Sequence, residues 1–196
     1  MTFLVLEGFS GTGKTSLASG LERLGWLRLT ESAHVVPKDV PVADRADTNA
    51  DFSLLGATMV YSSVISGSRS SRDIVSEGYL LSDLAYARIR YDLKKSTAFP
   101  AMLAVCREIL SDPVMKPDLY IILEAGAETI GTRQMRKDER DRNLTDFFRT
   151  RYYTALDEIH GDLGERNVER VQTDSDMELT LESILGLLRR RKLTVP

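Results

Sequence analysis

Residues 8–15, with the sequence GFSGTGKT, constrain the fold of this chain more than any other segment. They match the pattern GxxxxGK[ST] at every fixed position. The segment follows an apolar run at residues 2–7, typical of a buried parallel strand, and leads into residues 14–24, where apolar and small side chains recur at helical spacing. Glycines let successive backbone N–H groups converge, and a helix N-terminus adds partial positive charge. The pattern predicts a strand–loop–helix unit that binds phosphate, the alternative being a glycine-rich turn that only starts a helix.

The residue types in this loop, a P-loop, indicate a nucleoside triphosphate as ligand. A lysine at position 14 can reach the β and γ phosphates, and the hydroxyl of Thr15 can ligate Mg²⁺. We therefore expect ATP and Mg²⁺ as cofactors. The residues expected to hold the nucleotide here are Gly8, Ser10, Gly11, Thr12, Gly13, Lys14, Thr15 and Ser16.

The remaining chain alternates between short apolar runs and helical patterns. Strands are predicted at residues 26–30, 73–76, 119–123 and 168–173, and a loop at 32–48. Helices are predicted at 51–65, 81–91, 100–110, from 128, at 144–160 and at 177–188. Strands separated by helices pair in parallel through right-handed crossovers. We expect one domain of the α/β class, a three-layer sandwich with a central parallel five-stranded sheet.

Composition excludes several classes of function. With 26 basic and 29 acidic residues the net charge is −3, which argues against a nucleic-acid polymer as partner. A single cysteine, Cys106, excludes an internal disulfide, and two histidines make a histidine metal centre improbable. No apolar run approaches the ~18 residues of a membrane span, and the first residues lack a secretory pattern. The expectation is a cytoplasmic protein with no membrane partner.

Residues 74–86, IVSEGYLLSDLAY, resemble the thymidylate kinases, whose third strand ends in Asp-Arg-Tyr before a Ser-x-x-Ala-Tyr pattern. The related deoxynucleoside kinases carry Glu-Arg-Ser there. The resemblance implies that Glu77 serves the metal together with Thr15, although Glu77 could instead cap the following helix. The residues that it implies for acceptor binding are Tyr79, Ser82, Tyr86 and Arg90.

A second similarity lies between the fourth strand and the long helix. A Pro-Asp-led strand is followed by a helix and by RQMRKDERDR at residues 133–142, the layout of the thymidylate kinase lid. The resemblance implies an arginine-containing lid at about 133–143, in which Arg136 and Arg140 neutralise the transition state and Arg133 contacts the nucleotide. A solvated, salt-bridged surface turn is the alternative.

A third similarity is the carboxylate at the end of the second strand. Deoxynucleoside kinases use a carboxylate there to accept the proton of the acceptor hydroxyl, which makes Glu31 the candidate general base. An exposed loop glutamate explains the same residue equally well.

Three positions depart from the thymidylate kinase pattern. Ser10 replaces an aspartate of the loop, Gly78 replaces the arginine of Asp-Arg-Tyr, and Met59 stands where the preceding helix carries another arginine. The family's arginines hold phosphate, so their loss leaves the acceptor open between a nucleoside, another neutral hydroxyl compound, and a monophosphate held by substitutes such as Arg88 or Arg90.

These observations favour a P-loop phosphotransferase that moves the γ-phosphoryl group of ATP to a nucleoside, a nucleoside monophosphate or a similar small molecule. One alternative is a kinase of a specialised metabolite or antibiotic with a neutral hydroxyl acceptor. A nucleotide-dependent switch or ATPase is the other, although the chain has no Asn-Lys-x-Asp guanine motif. By analogy with related kinases, a homodimer formed through the helices at 51–65 and 81–91 is also expected.

Overall fold

The computed structural model describes residues 1–31, 48–69, 71–134 and 146–193. The strands are β1 Phe3–Gly8, β2 Leu27–Leu29, β3 Ile74–Glu77, β4 Leu119–Glu124 and β5 Val168–Gln172. The helices are α1 Lys14–Arg23, α2 Thr48–Ser68, α3 Leu80–Asp92, α4 Phe99–Ser111, α5 Ala127–Gln134, α6 Asp146–Leu163 and α7 Met177–Arg190. Each strand and helix expected from the sequence is present. The largest difference in bounds is α2, which begins three residues before and ends three residues after the predicted segment.

All five strands pair in parallel, in the order β2-β3-β1-β4-β5. The two strands with the longest apolar runs, β1 and β4, lie side by side in the middle, where both faces of the sheet are covered. The predicted parallel five-stranded sheet is confirmed.

Helices cover both faces of this sheet, because alternate side chains of each strand point to opposite sides. Leu4 and Leu6 of β1 belong to a core shared with α1 and α7, which contribute residues such as Leu17 and Ile184. The intervening Phe3 and Val5 belong to a second core formed with α3, α4 and α6. With one core on each face of the sheet, the helices and the sheet form the three layers of the predicted sandwich.

The order of the strands predicts which end of the sheet binds ligands. From β1 the chain runs to β2 at one edge of the sheet, returns to β3 beside β1, and then crosses to β4 and β5 on the other side. In parallel sheets, ligands bind outside the carboxyl ends of the strands at such a switch point. The carboxyl ends of β1, β3 and β4 carry Gly8, Glu77 and Glu124. Among the described helices, none has the length and apolar character needed to cross a membrane.

Candidate active site

The loop between β1 and α1 is held in a conformation that requires glycine at two points. Gly8 has φ 150°, and a Cβ there would lie 2.7 Å from Thr12 Oγ1 and 2.8 Å from the Leu123 carbonyl oxygen. Gly13, which immediately precedes α1, has φ 97°. Thr12 is fully buried and its hydroxyl donates to the Phe9 carbonyl at 2.8 Å. Gly8 and Thr12 therefore shape the loop from beneath and do not line the cleft above it.

A cleft of about 410 Å³ opens over this loop. Its size suits a small-molecule ligand. The residues lining it are Ser10, Gly11, Gly13, Lys14, Thr15, Ser16, Glu31, Arg133 and Met177. All of these except Met177 are among the residues singled out from the sequence. Met177 is the first residue of α7, and its thioether sulfur would lie 2.9 Å from a Cβ at Gly13.

Lys14 is one of the two cations, with Arg133, among the described residues that line this cleft, and its side chain is folded back over the loop. Its Nζ donates to the Gly8 carbonyl at 2.6 Å and to the Phe9 carbonyl at 3.5 Å. The same Nζ lies 3.9 Å from Glu31 Oε1. Lys14 is 7% exposed and thus lies at the floor of the cleft, beside Glu31, the one carboxylate among the described residues that line it.

Arg133 ties the far side of the cleft to the end of β5. Its Nη2 donates to the Thr173 carbonyl at 2.6 Å, and its Nη1 lies 3.4 Å from the Gly11 carbonyl. The remaining two lid arginines of the prediction, Arg136 and Arg140, lie outside the described residues.

Thr15 and Glu77, the predicted metal pair, are in direct contact. The Thr15 hydroxyl donates to Glu77 Oε2 at 2.6 Å. The other oxygen, Oε1, accepts from Nε of Arg28 at 2.6 Å and lies 2.5 Å from its Nη2. Glu77 is 3% exposed and α3 begins only at Leu80, so these contacts, and not helix capping, engage its side chain. No motif or spacing in the sequence points to Arg28, a residue of the three-residue strand β2.

The oxygen donors of this pair suit Mg²⁺. A hydroxyl and one carboxylate are hard ligands, and Mg²⁺ in phosphate sites takes one or two such groups while phosphates and waters complete its shell. Within the described ranges there is no cluster of three or more His, Cys, Asp or Glu that would form an all-protein metal cage. Thr15 and Glu77 would therefore hold a metal only jointly with nucleotide phosphates.

A second, smaller cleft lies on the other side of Glu31 and has a volume of about 10 Å³, close to that of one water molecule. The residues lining it are Glu31, Thr58, Tyr61, Glu77, Gly78, Tyr79, Ser82 and Asp83. A hydrogen bond from Thr58 to Asp83 at 2.5 Å joins two of these residues, and Tyr61 is hydrogen-bonded to Thr30 at 3.1 Å. Glu31 thus lines both clefts.

Two predicted acceptor residues lie away from this cleft. Arg90 pairs with the fully buried carboxylate of Asp51 and stacks over the ring of Tyr86. Tyr86 in turn packs on Tyr152, with ring centroids 5.1 Å apart. Arg88 pairs with Asp92 at 3.1 Å. Neither of these arginines nor Tyr86 lines the cleft, whereas Tyr79 and Ser82 do.

The structure also locates two of the unusual positions. Met59 is 45% exposed, and the α2 residues that line the smaller cleft are its neighbour Thr58 and Tyr61. Gly78 has φ 73°, and a Cβ there would lie 3.2 Å from Ser82 Oγ. A long side chain at position 78 would require a different backbone, so Gly78 is integral to the shape of this cleft.

Comparison with known proteins yields structural relatives. No family model and no curated protein matches the chain. Deoxyadenosine kinase from M. mycoides, solved with bound dATP, is 16% identical, with a TM-score of 0.72 over 96% of this chain and 100% of that one. Thymidylate kinase from Candida albicans is 18% identical, with a TM-score of 0.71 over 97% of this chain and 92% of that one. This chain has the fold of these kinases. The predicted fold class, that of a P-loop protein similar to nucleoside and nucleotide kinases, is confirmed.

Beneath the P-loop lies a buried carboxyl group, that of Glu7 at the end of β1. Glu7 is fully buried, accepts a hydrogen bond from Ser82 Oγ, and has a second oxygen, Oε1, with no hydrogen-bond partner. Burial raises the pKa of Glu7 to about 7, against the opposing effects of the Ser82 hydrogen bond and of the Lys14 charge. The group is therefore partly protonated at neutral pH.

Replacing Glu7 by glutamine is expected to stabilise the fold at alkaline pH. Since the unfolded carboxyl ionises near pH 4.5 and the folded one near 7, the folded state binds more protons in between, and stability falls as the pH rises through this window. At pH 8 the free energy of unfolding of Glu7→Gln should exceed that of wild type by up to about 3 kcal/mol. Urea unfolding at pH 5 and pH 8 measures the difference.

The control is Glu182→Gln, which removes an exposed carboxylate of α7 and should show no such pH-dependent gain. A Glu7→Gln variant whose stability relative to wild type is the same at both pH values would contradict the raised pKa.

Proposed function

We propose that this chain is a P-loop kinase that transfers the γ-phosphoryl group of ATP to a hydroxyl group of a small acceptor, a nucleoside or a compound of similar size. The observation that carries the proposal is the position of Glu31, which lines both clefts and lies 3.9 Å from the ammonium of Lys14. A carboxylate so placed stands between the phosphate loop and the second cleft, where a general base for phosphoryl transfer is needed. The fold shared with deoxyadenosine and thymidylate kinases supports the same reaction class.

In the proposed reaction the larger cleft holds ATP, and the reacting hydroxyl group of the acceptor lies at the smaller cleft, whose volume of about 10 Å³ admits one water-sized group, so the rest of the acceptor extends beyond it. The acceptor oxygen forms a bond to the γ phosphorus, the bond from that phosphorus to the bridging oxygen breaks, ADP leaves, and the hydroxyl proton passes to Glu31. Lys14 releases the Gly8 carbonyl and pairs with the phosphates. Mg²⁺, when bound with the nucleotide, supplies charge neutralisation beside Thr15 and Glu77. Arg133, and in this proposal Arg136 and Arg140, add positive charge from the lid.

The charges around the smaller cleft favour an acceptor without a phosphate group. Three of its eight lining residues carry carboxylates, Glu31, Glu77 (which is paired with Arg28) and Asp83, and no arginine or lysine lines it among the residues that the structure describes. A phosphorylated acceptor would meet like charge there, which is unfavourable in a poorly solvated site. Nucleosides and other neutral hydroxyl compounds, including specialised metabolites, are therefore the preferred acceptor classes.

The test is ADP formation from ATP and Mg²⁺ with three acceptor panels: nucleosides, nucleoside monophosphates, and neutral hydroxylated metabolites. Wild type should respond to an unphosphorylated acceptor, and Lys14→Ala, prepared identically, should not. Stimulation by monophosphates alone would overturn the preference for neutral acceptors. Hydrolysis that no acceptor accelerates would favour the switch or ATPase instead.

We also propose that the chain forms a homodimer through α2. This helix has apolar side chains on its outer face as well as its inner one, with Phe52, Met59, Val60 and Val64 between 38% and 58% exposed. A helix that is apolar all round usually has a second packing partner. Light scattering of the purified protein would determine the mass. A cytoplasmic location and a single-domain organisation stay predictions from the sequence.

A further inference from the structure

The guanidinium group of Arg28 occupies an unusual place, bound to the carboxylate that serves the metal in the proposed function. Arg28 lies in β2 opposite Val75 of β3, and Glu77 is two residues further along β3, so both side chains emerge on the same face of the sheet. Nε and Nη2 of Arg28 both approach Glu77 Oε1, while Nη1 donates to Ser19 Oγ of α1 at 2.8 Å. The arginine is thus fixed between the sheet and α1.

This contact divides the two oxygens of Glu77 between two partners. Oε1 accepts from Arg28, and Oε2 accepts from the hydroxyl of Thr15 at 2.6 Å. The side chains of Arg28 and Glu77 are 19% and 4% exposed. A carboxylate this buried is costly without a cationic partner. Arg28 therefore compensates the charge of Glu77 and also orients its second oxygen towards Thr15 and the phosphate loop.

The same arrangement affects how strongly a bare divalent cation is attracted. Without Arg28, Glu77 would present an uncompensated negative charge next to Thr15, with Glu31 lining the same site. With Arg28 in place, a cation at Thr15 meets the positive guanidinium just beyond the carboxylate. At separations of about 5 Å in partly buried surroundings, such a charge changes binding constants by at least about tenfold.

We propose that Arg28 is a positioning residue that couples metal binding to nucleotide binding. It keeps Glu77 Oε2 directed at Thr15, and its charge keeps the site from taking a divalent cation until nucleotide phosphates arrive. The inference rests on the proposed function in one respect, that the Thr15–Glu77 pair serves the metal of a nucleotide complex.

The test measures Mn²⁺ binding by electron paramagnetic resonance, with and without a non-hydrolysable ATP analogue. Arg28→Gln should bind Mn²⁺ without nucleotide at least about tenfold more tightly than wild type. Its gain in Mn²⁺ affinity on adding the analogue should shrink correspondingly. Arg23→Gln, which removes an exposed charge of α1 and changes the net charge equally, should behave as wild type.

A double variant tests whether Arg28 changes the Mn²⁺ affinity through Glu77. In the double variant Arg28→Gln with Glu77→Gln, the nucleotide-free affinity should return to the wild-type value or below, because the uncompensated carboxylate is gone. The double variant also removes both members of the buried pair, which avoids the instability of a lone buried charge. Equal nucleotide-free affinities in wild type and Arg28→Gln, or an increase that persists in the double variant, would overturn the proposal.

The readout separates this inference from the proposed function. Mn²⁺ binding without nucleotide needs neither turnover nor an acceptor, so a chain that phosphorylates nothing in the acceptor panels could still show the Arg28 effect. Conversely, an active kinase with an unchanged Mn²⁺ affinity in Arg28→Gln would refute the role of Arg28 alone.

Discussion

Replacement of Lys14 by alanine is expected to lower kcat/KM for ATP by roughly 10²- to 10³-fold. The ammonium of Lys14 is the only cation of the described P-loop residues and lies at the floor of the larger cleft, 2.6 Å from the Gly8 carbonyl. In the proposed reaction it moves from this carbonyl to the phosphates, where negative charge must be neutralised in the transition state. Steady-state kinetics with the best acceptor from the panel measures the loss.

Two further variants separate charge from packing. Lys14→Met keeps most of the aliphatic stem and should lose as much activity as Lys14→Ala if charge is responsible. Lys95→Ala removes an exposed lysine after α3 and should leave the kinetics unchanged. Turnover near the wild-type level in both Lys14 variants would exclude the phosphate-binding role of this loop.

Replacement of Glu31 by glutamine is expected to lower kcat by roughly 10²- to 10⁴-fold while the KM for ATP changes little. Glutamine keeps the size and the hydrogen-bonding reach of the side chain but cannot accept the acceptor proton. Since Glu31 is the residue that lines both clefts, it is the carboxylate best placed for this task. Single-turnover kinetics with saturating ATP isolates the chemical step from nucleotide binding.

The matched control is Glu108→Gln, which neutralises an exposed carboxylate of α4 that lines neither cleft. Only the Glu31 variant should slow the chemical step. If Glu31→Gln transfers phosphate as quickly as wild type, Glu31 is an exposed loop glutamate, as one interpretation of the sequence has it.

The parts of this molecule that could be predicted from its sequence are those encoded locally. The loop at residues 8–15 carries its own geometry in its glycines, and the apolar run of β4 predicts a central strand without knowledge of its neighbours. Most of the residues predicted to hold the nucleotide line one cleft, whereas Gly8 and Thr12 lie beneath it, and their role in nucleotide binding stays a prediction.

The parts that could not be predicted depend on register between distant segments. Arg28 reads as an ordinary residue of a short strand, and only the pairing of β2 with β3 brings it to Glu77. On α2, the orientation of the helix places Thr58 at the smaller cleft, whereas the adjacent Met59 is exposed. Arg90 has the positive charge expected of a phosphate ligand, but it forms a buried ion pair with Asp51 of α2 instead. Local sequence patterns carry no information on these contacts between distant segments.

The close approach of Gly8 to the Leu123 carbonyl limits which point mutations its codon can tolerate. Every glycine codon begins with two guanines, and any change of either one specifies an amino acid with a side chain or ends the chain. At Gly8 each such side chain would press its first carbon against backbone of the neighbouring strand, which cannot move aside without opening the middle of the sheet. In a library of random point variants, this codon should tolerate synonymous changes at its third base alone.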